Sequence, residues 1–221
     1  MQKRIIWFMT SRCDRNCPYC LRKIIKGGSK NTSRIVELIN LLNYPVTLTG
    51  GEPLLLPYLS DVIFALKGRE ITLETNLLGT LPSEGAISLL SKIDFNLGSW
   101  FYNDDSNIDN LNFALEHTKV DATVVPIRGR VKELMRFCNR YKRYFPKIYA
   151  LFPVGNDEFY PTEYEERLLR GDSKFSLRIP QKGVGDNIFI MPDGEIYKQD
   201  DIEGHIFGGD QHCNTELELL T

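Results

Sequence analysis

The sequence has no long hydrophobic run and no segment typical of export. None of its apolar stretches approaches the ~18 residues that a membrane-spanning helix needs. The opening MQKRIIWFMTSR is interrupted by Thr10, Ser11 and Arg12 too soon to form the apolar part of a secretory signal. These absences predict a cytoplasmic protein without a membrane partner, and in that compartment cysteines stay reduced.

Several nucleotide-binding signatures are also missing. There is no glycine fingerprint of a dinucleotide-binding fold, and Gly27-Gly28 is not followed by the Lys-Ser/Thr of a P-loop. The net charge is only −2 over 221 residues. Residues 128–147 nevertheless hold eight basic residues against one acid, and residues 193–218 hold eight acids against one base. We interpret 128–147 as an amphipathic helix with a solvated basic face, which disfavours nucleic acid as a partner.

Cysteine is scarce, with five in the chain, but three of them fall within SRCDRNCPYC (11–20). Cys13, Cys17 and Cys20 form the pattern C-x3-C-x2-C. In a reducing compartment such a group favours a metal centre over a disulfide framework. Thiolates select zinc or iron–sulfur clusters, and structural zinc requires four ligands. A four-iron cluster held by three cysteines leaves one iron open, which fits a catalytic site.

The two other cysteines are isolated. Cys138 lies within a predicted helix, where we expect a small packed hydrophobic residue. Cys213 follows a histidine in a polar tail, and the sequence assigns it no role.

Apolar segments of strand and helix type alternate along most of the chain. The predicted strands are 5–10, 46–50, 70–76, 94–100, 120–127 and 147–154, each followed by a helical pattern. Six such units at spacings of roughly 25 residues predict a partial (β/α)6 TIM-type barrel. In this architecture, binding residues lie where the strands end. The cysteines follow the first predicted strand.

The pattern changes after Gly171. We predict a core of residues 1–171 and a short C-terminal extension of residues 172–221. Within the extension, 187–199 predicts a β-hairpin that turns through Pro192-Asp193-Gly194. Because the first predicted strand begins at residue 5, we expect no peptide-recognition domain before the barrel.

The cysteine run, with an aromatic residue directly before its last cysteine, resembles that of the radical SAM (S-adenosylmethionine) superfamily. TGGEP (49–53), after the second strand, is similar to the family's methionine-binding motif, and LETN (73–76) is similar to its Thr-Asn pair. VVPI and FPVG, after the fifth and sixth strands, resemble family positions that approach the adenosine. The resemblance covers roughly residues 4–155.

The resemblance implies an enzyme in which Cys13, Cys17 and Cys20 hold one [4Fe–4S] cluster. The open iron would bind S-adenosylmethionine through its amino and carboxylate groups. One electron would then cleave the cofactor to a 5′-deoxyadenosyl radical, which abstracts a substrate hydrogen. This use requires a low cluster potential and therefore a flavodoxin- or ferredoxin-type electron donor.

The resemblance also implies cofactor contacts. Gly50 and Gly51 would let backbone carbonyls approach the amino group of the cofactor, Glu52 would pair with that group, and Pro53 would stiffen the turn. The remaining candidates would contact the adenosine, the ribose or the methionine carboxylate; they are Tyr19, Thr75, Asn76, Ser99, Pro126 and Pro153.

The predicted hairpin is similar to the opening of the SPASM or twitch extension of peptide-modifying members. The usual cysteine of that extension is replaced, because Lys198, Gln199 and Asp200 stand there. We therefore expect a single cluster and a peptide or protein side chain as substrate. The alternatives are a small molecule or nucleoside substrate, an activase that installs a glycyl radical, and a metal-bearing binding module without turnover.

Overall fold

A computed structural model of the chain describes residues 3–20, 27, 31–97, 107–153, 158–178 and 187–198. In this part of the chain, nine strands form one sheet. They are β1 (Ile5–Phe8), β2 (Val46–Thr49), β3 (Ile71–Thr75), β4 (Lys92–Asn96), β5 (Val120–Val124), β6 (Ile148–Leu151), β7 (Phe175–Arg178), β8 (Ile188–Ile190) and β9 (Ile196–Lys198). Their order across the sheet is β7-β6-β5-β4-β3-β2-β1-β8-β9, so the barrel is open.

All neighbouring strands from β8 through β1 to β7 pair in parallel. The last strand, β9, pairs antiparallel with β8. The connecting helices are α1 (Thr32–Leu42), α2 (Leu59–Ala65), α3 (Glu84–Ile87), α4 (Ile108–His117), α5 (Val131–Arg140) and α6 (Glu163–Gly171). The predicted partial barrel with a C-terminal hairpin is confirmed. None of the described helices is long and apolar enough to cross a membrane.

One face of the sheet carries the main hydrophobic core. Alternating strand residues such as Trp7, Leu48 and Phe95 are fully buried and belong to the same cluster as Ile39 of α1 and Leu134 of α5. Because the helices cover this face, the opposite face is the inner surface of the open barrel. Side chains that alternate with the core residues therefore point towards the barrel interior.

Charged residues line the middle of this inner face. The strand register places Glu74, Asp94 and Asp121 directly beside one another on β3, β4 and β5. Lys92 Nζ lies 3.1 Å from Asp121 Oδ2 and 3.9 Å from Asp94 Oδ2. Lys119 Nζ lies 3.3 Å from Asp121 Oδ1. The carboxylates of this row thus hold both neighbouring lysines.

The inner face is apolar near β1, β8 and β9. Phe8 stacks on Phe189 with ring centroids 6.4 Å apart, and Ile6, Met191 and Tyr197 complete a second hydrophobic cluster. The inner surface therefore combines an apolar wall at one side with a carboxylate row two strands away.

Strand β7 was not anticipated, because its residues were assigned to the C-terminal extension. The segment FSLR has only two apolar residues, too few to predict a strand, and its order comes from pairing with the free edge of β6. The hairpin likewise continues the barrel sheet, since Ile188–Ile190 pairs in parallel with β1. Whether residues 1–171 and 172–221 are separate units stays a prediction.

Helix α3, which follows the third predicted strand, is shorter than the helical pattern of its sequence. The helical pattern extends over 85–93, but the helix ends at Ile87 and Lys92 begins β4. Lys92 and Ile93 pair with neighbouring strands, so sheet pairing overrides the local helical pattern.

Candidate active site

The three clustered cysteines follow β1 at the carboxyl edge of the sheet. Cys17 is buried, Cys13 and Cys20 are half-buried, and none of the three forms a disulfide. The amide of Cys20 donates to the carbonyl of Cys17 at 3.2 Å, which closes a turn between the last two thiols. This loop stands where the alternation of strands and helices predicted a binding site.

The loop that follows β2 is joined to the cysteine loop through the backbone. The amide of Gly51 donates to Thr10 O at 2.6 Å, and the amide of Glu52 donates to Arg12 O at 2.8 Å. These bonds continue beyond the last paired residues of β1 and β2. The cysteine loop is therefore anchored to the glycine motif just before Cys13.

Gly50 and Gly51 are needed for this close approach. A Cβ at Gly50 would lie 2.5 Å from Thr10 O, and one at Gly51 would lie 1.9 Å from Arg12 O. Gly50 also has a φ of +137°, a backbone angle that residues with a side chain rarely adopt. The structure thus gives these glycines a role in packing two loops together, which the sequence analysis did not recognise. Their predicted contact with a cofactor stays a prediction.

Glu52 is a buried carboxylate with donors from two segments. Its Oε1 accepts from Thr75 Oγ1 at 2.6 Å and from the amide of Leu54 at 3.0 Å. Its Oε2 accepts from the amide of Asn76 at 2.8 Å. Through Leu54, Glu52 caps a short 3-10 helix that begins at Pro53. That Pro53 stiffens the turn stays a prediction.

Burial raises the pKa of Glu52 to about 7, although the hydrogen bonds from Asn76, Thr75 and Leu54 act to lower it. The nearby Asp14 carboxylate adds to the rise. Both carboxylate oxygens of Glu52 accept hydrogen bonds from protein donors. The pairing of Glu52 with the amino group of a cofactor stays a prediction.

Asn76 joins the end of β3 to the cysteine loop. Its Nδ2 donates to Asp14 Oδ1 at 2.7 Å, and its Oδ1 accepts from the amide of Leu78 at 2.9 Å. Thr75 Oγ1 also accepts from the amide of Leu77 at 3.0 Å. Thr75 and Asn76 thus bind protein groups in this structure, and their predicted contact with a cofactor stays a prediction.

Two asparagines at the start of α4 support the end of β3, a role that the sequence analysis did not predict. Asn107 Nδ2 donates to Asn76 O at 3.2 Å, and Asn110 Nδ2 donates to Leu77 O at 2.7 Å. Leu77 has a φ of +59°, a conformation that requires such support in a non-glycine residue. The signal in the sequence that could have indicated this role was the spacing of the two asparagines, because residues three apart at the start of a helix lie on one face.

The remaining candidates are distributed around the same edge. Tyr19 contacts Phe159 edge to face, with ring centroids 6.2 Å apart, and so links the cysteine loop to the segment before α6. Pro126 and Pro153 are buried just after β5 and β6. The predictions for Ser99 and Cys213 lie outside the described residues.

Cys138 is fully buried on α5, as predicted, and burial raises the pKa of its thiol to about 12. The helix is amphipathic in the predicted sense, since Val131, Leu134 and Cys138 are buried while Lys132 and Arg136 are exposed. Cys138 is therefore a packing residue and not a further ligand.

The donor set of the cysteine loop fits an iron–sulfur cluster. Among the described residues, no group of three or more His, Cys, Asp or Glu side chains is arranged to hold a single metal ion. Cysteines that bind a four-iron cluster each bind a different iron, so they need not converge on one point. Three thiols within eight residues, none of them in a disulfide, supply the soft ligands that such a cluster requires.

Comparison with known families gives one match that covers most of the chain. Residues 7–162 match the family model described as the Radical SAM superfamily. The GTP 3',8-cyclase 2 proteins of Mycobacterium tuberculosis and Mycobacterium bovis are 31% identical over 170 aligned residues. These cover 59% of this chain and 45% of those proteins, so the chain spans less than half the length of the curated relatives.

Solved structures share the fold at low sequence identity. Streptococcus suis SuiB bound to S-adenosylmethionine has a TM-score of 0.60 at 13% identity, over 88% of this chain and 59% of that chain. SuiB bound to the precursor peptide SuiA has a TM-score of 0.61 at 14% identity, over 95% and 62%. The anSMEcpe structure with bound AdoMet and Cp18Cys peptide has a TM-score of 0.59 at 14% identity, over 88% and 73%. At these identities the likeness shows the fold alone.

The close contact at Gly51 predicts that adding a single methyl group there strongly destabilises the fold. In Gly51→Ala, the new Cβ must displace either Arg12 or the whole glycine motif. We expect a loss of about 2 kcal/mol or more in the free energy of unfolding, measured by urea denaturation. Gly171→Ala is the matched control, because nothing lies within 4 Å of its Cβ position. At this helical position it should leave stability unchanged or raise it by up to about 1 kcal/mol. Equal stability of the two variants would contradict this role of Gly51.

The raised pKa of Glu52 predicts a pH-dependent stability. Between the ordinary value of 4.5 and about 7, the folded chain binds this proton more tightly than the unfolded chain does. The contribution of Glu52 to stability is therefore largest below pH 4.5, falls as the pH rises towards 7, and is constant above it. From about pH 5 to about pH 8, the native chain should lose about 2–3 kcal/mol of unfolding free energy relative to Glu52→Gln.

The exposed Glu37 on α1 provides the control for this measurement. The stability difference between the native chain and Glu37→Gln should stay constant over the same pH range. A constant difference for Glu52→Gln as well would show that Glu52 ionises normally in the folded chain.

Proposed function

The chain belongs to the radical SAM superfamily, and we propose that it cleaves S-adenosylmethionine reductively to form a radical that abstracts hydrogen from a peptide or protein side chain. Members of this superfamily are enzymes that use a [4Fe–4S] cluster together with S-adenosylmethionine. The observation that carries the proposal is the direct backbone attachment of the cysteine loop to the glycine motif, at Gly51 and Glu52.

This attachment supports a shared site for the cluster and the cofactor. Cys13, Cys17 and Cys20 would hold the cluster, which when bound supplies one electron to the sulfonium group of S-adenosylmethionine. The glycine motif would offer backbone groups to the methionine end, at a fixed distance from the cysteine loop because of the two backbone bonds. Tyr19, Pro126 and Pro153 would border the adenosine, as would Ser99. Thr75 and Asn76 would act mainly by holding the loops together.

The charges of the inner face favour a peptide over a nucleoside triphosphate. Glu74, Asp94 and Asp121 form one row there, and the lysines described beside them are held by its carboxylates. Burial opposes ionisation of Asp121, but Lys92 and Lys119 outweigh it and lower the pKa of Asp121. The three carboxylates exceed the two paired lysines by one charge, so the row offers a triphosphate no net positive charge. Peptide amides and basic side chains, in contrast, would donate hydrogen bonds to it.

The apolar wall formed by Phe8 and Phe189 adds to this preference. A peptide segment can place an apolar side chain on this wall and its polar backbone on the neighbouring strands. The hairpin β8–β9 supplies part of the wall, which gives the extension a direct role in lining the substrate site.

A nucleotide substrate is the second candidate. It is favoured by the 31% identity with the GTP 3',8-cyclase 2 proteins, which exceeds the identity with the peptide-bound structures. For either substrate we propose a single cluster, a flavodoxin- or ferredoxin-type donor and a cytoplasmic setting.

Anaerobic reconstitution with iron and sulfide tests the cluster assignment. We expect a brown protein with about four irons per chain that forms 5′-deoxyadenosine from S-adenosylmethionine and dithionite. Cys17→Ala should lose both the colour and the product, because a cluster ligand is removed. Cys138→Ala, the matched control in the helical core, should keep both. Zinc in place of iron, or a coloured Cys17→Ala protein, would refute the assignment.

The substrate class is tested by supplying candidates to the reconstituted enzyme. With precursor peptides encoded near the gene, we expect faster 5′-deoxyadenosine formation and a changed peptide mass. With GTP, we expect no new guanosine-derived product, because the carboxylate row offers a polyanion no net positive charge. Conversion of GTP together with unchanged peptides would contradict the peptide proposal and support the second candidate.

A further inference from the structure

Asp14 lies between the first clustered cysteine and the end of β3. Its Oδ1 accepts a hydrogen bond from Asn76 Nδ2 at 2.7 Å and lies 3.6 Å from Cys13 Sγ. One oxygen atom of Asp14 therefore contacts both the buried turn and the candidate ligand. Neither the family resemblance nor the cofactor contacts predicted from the sequence involve this residue.

Asn76 is able to fix the position of Asp14 because its other polar groups are occupied. Its amide nitrogen donates to Glu52, its Oδ1 accepts from the amide of Leu78, and its carbonyl accepts from Asn107. The residue is only 6% exposed. With the backbone and the side-chain oxygen both held, the plane of the carboxamide is fixed, and one of the two Nδ2 hydrogens is directed at Asp14.

We propose that Asp14, positioned by Asn76, is a fixed negative charge that lowers the reduction potential of the cluster bound through Cys13. This inference rests on the proposed function, since it requires the cluster at the three cysteines. Reduction adds one electron to the cluster, and a carboxylate beside a ligand sulfur opposes the added negative charge. The reduced centre is then a stronger reductant.

A second contact at the same sulfur acts in the opposite direction. The amide of Arg15 donates to Cys13 Sγ at 3.4 Å, and hydrogen bonds to a ligand sulfur raise the potential of a cluster. Asp14 is exposed, and water screens its charge, but a full charge still exceeds one backbone dipole at a similar distance. Of these two contacts, the carboxylate makes the larger contribution to the potential.

The charge is tested with Asp14→Asn in the reconstituted holoenzyme. The side chain keeps its shape and an oxygen that can accept from Asn76, so the loop stays in place while the charge is lost. At a fixed solution potential, monitored by electron paramagnetic resonance, we expect the ratio of reduced to oxidised cluster to rise about fivefold. Asp61→Asn, an exposed carboxylate on α2, is the control and should leave the ratio unchanged.

Positioning is tested on the cluster-free full chain by the rate at which iodoacetamide alkylates Cys13. Asn76→Asp replaces the donor by an acceptor, and we expect Cys13 to react about fivefold faster. The double substitution Asp14→Asn with Asn76→Asp reverses donor and acceptor, and should restore the original rate. Asp14→Ala removes both the bond to Asn76 and the contact with Cys13 Sγ, and should accelerate alkylation without disturbing β3. Protection of the buried Cys138 shows in each case that the chain is folded.

The outcomes separate this inference from the proposed function. If the native chain incorporates no four-iron cluster, the proposed function fails, whatever the alkylation rates are. If the cluster forms and Asp14→Asn leaves its potential unchanged, the charge assigned to Asp14 is wrong. If alkylation of Cys13 is unchanged in both Asn76→Asp and Asp14→Ala, the positioning role is wrong.

Discussion

The carboxylate of Glu52 is the group on which the arrangement of the candidate site depends. The carboxylate accepts hydrogen bonds from Thr75 and Asn76 at the end of β3. The backbone amide of Glu52 donates to the carbonyl of Arg12 in the cysteine loop. Burying a carboxylate is costly unless donors surround it, and here three donors come from two separate segments. The loops after β1, β2 and β3 are consequently ordered together, because removal of one leaves a hydrogen-bonding group of another without its partner.

The sheet provides the geometry that makes this possible. Parallel strands β1, β2 and β3 end at the same edge, so their three loops meet without any long connection. The same alternation directs apolar side chains to the helices and polar ones to the inner face. The resulting inner surface has an apolar wall on Phe8 and Phe189 and carboxylates on β3 to β5. Under the proposed function, a cofactor at this edge would stand above both the apolar wall and the carboxylate row.

The six strand–helix units and the place of the cysteines were predictable, because both are encoded in local patterns. Residues 5–10 and 46–50 have the apolar, β-branched character of buried strands, and the cysteines follow the first of them directly. Strand β7 was not predictable, since FSLR becomes a strand only by pairing with β6. The contacts of Gly51 with Arg12 and of Asn76 with Asp14 join residues 39 and 62 positions apart, and no local pattern specifies them.

These long-range contacts change how the motif residues are interpreted. Glu52, Thr75 and Asn76 were assigned to the cofactor by resemblance, yet in this structure their polar atoms bind one another and the cysteine loop. Loss of activity in a variant of any of them would therefore follow from disorder of the thiols as readily as from loss of a cofactor contact. The two causes differ physically, because only the first alters the reactivity of Cys13 in the absence of any cofactor. A residue whose variants leave the reactivity of the clustered thiols unchanged but weaken cofactor binding is one that contacts the cofactor directly.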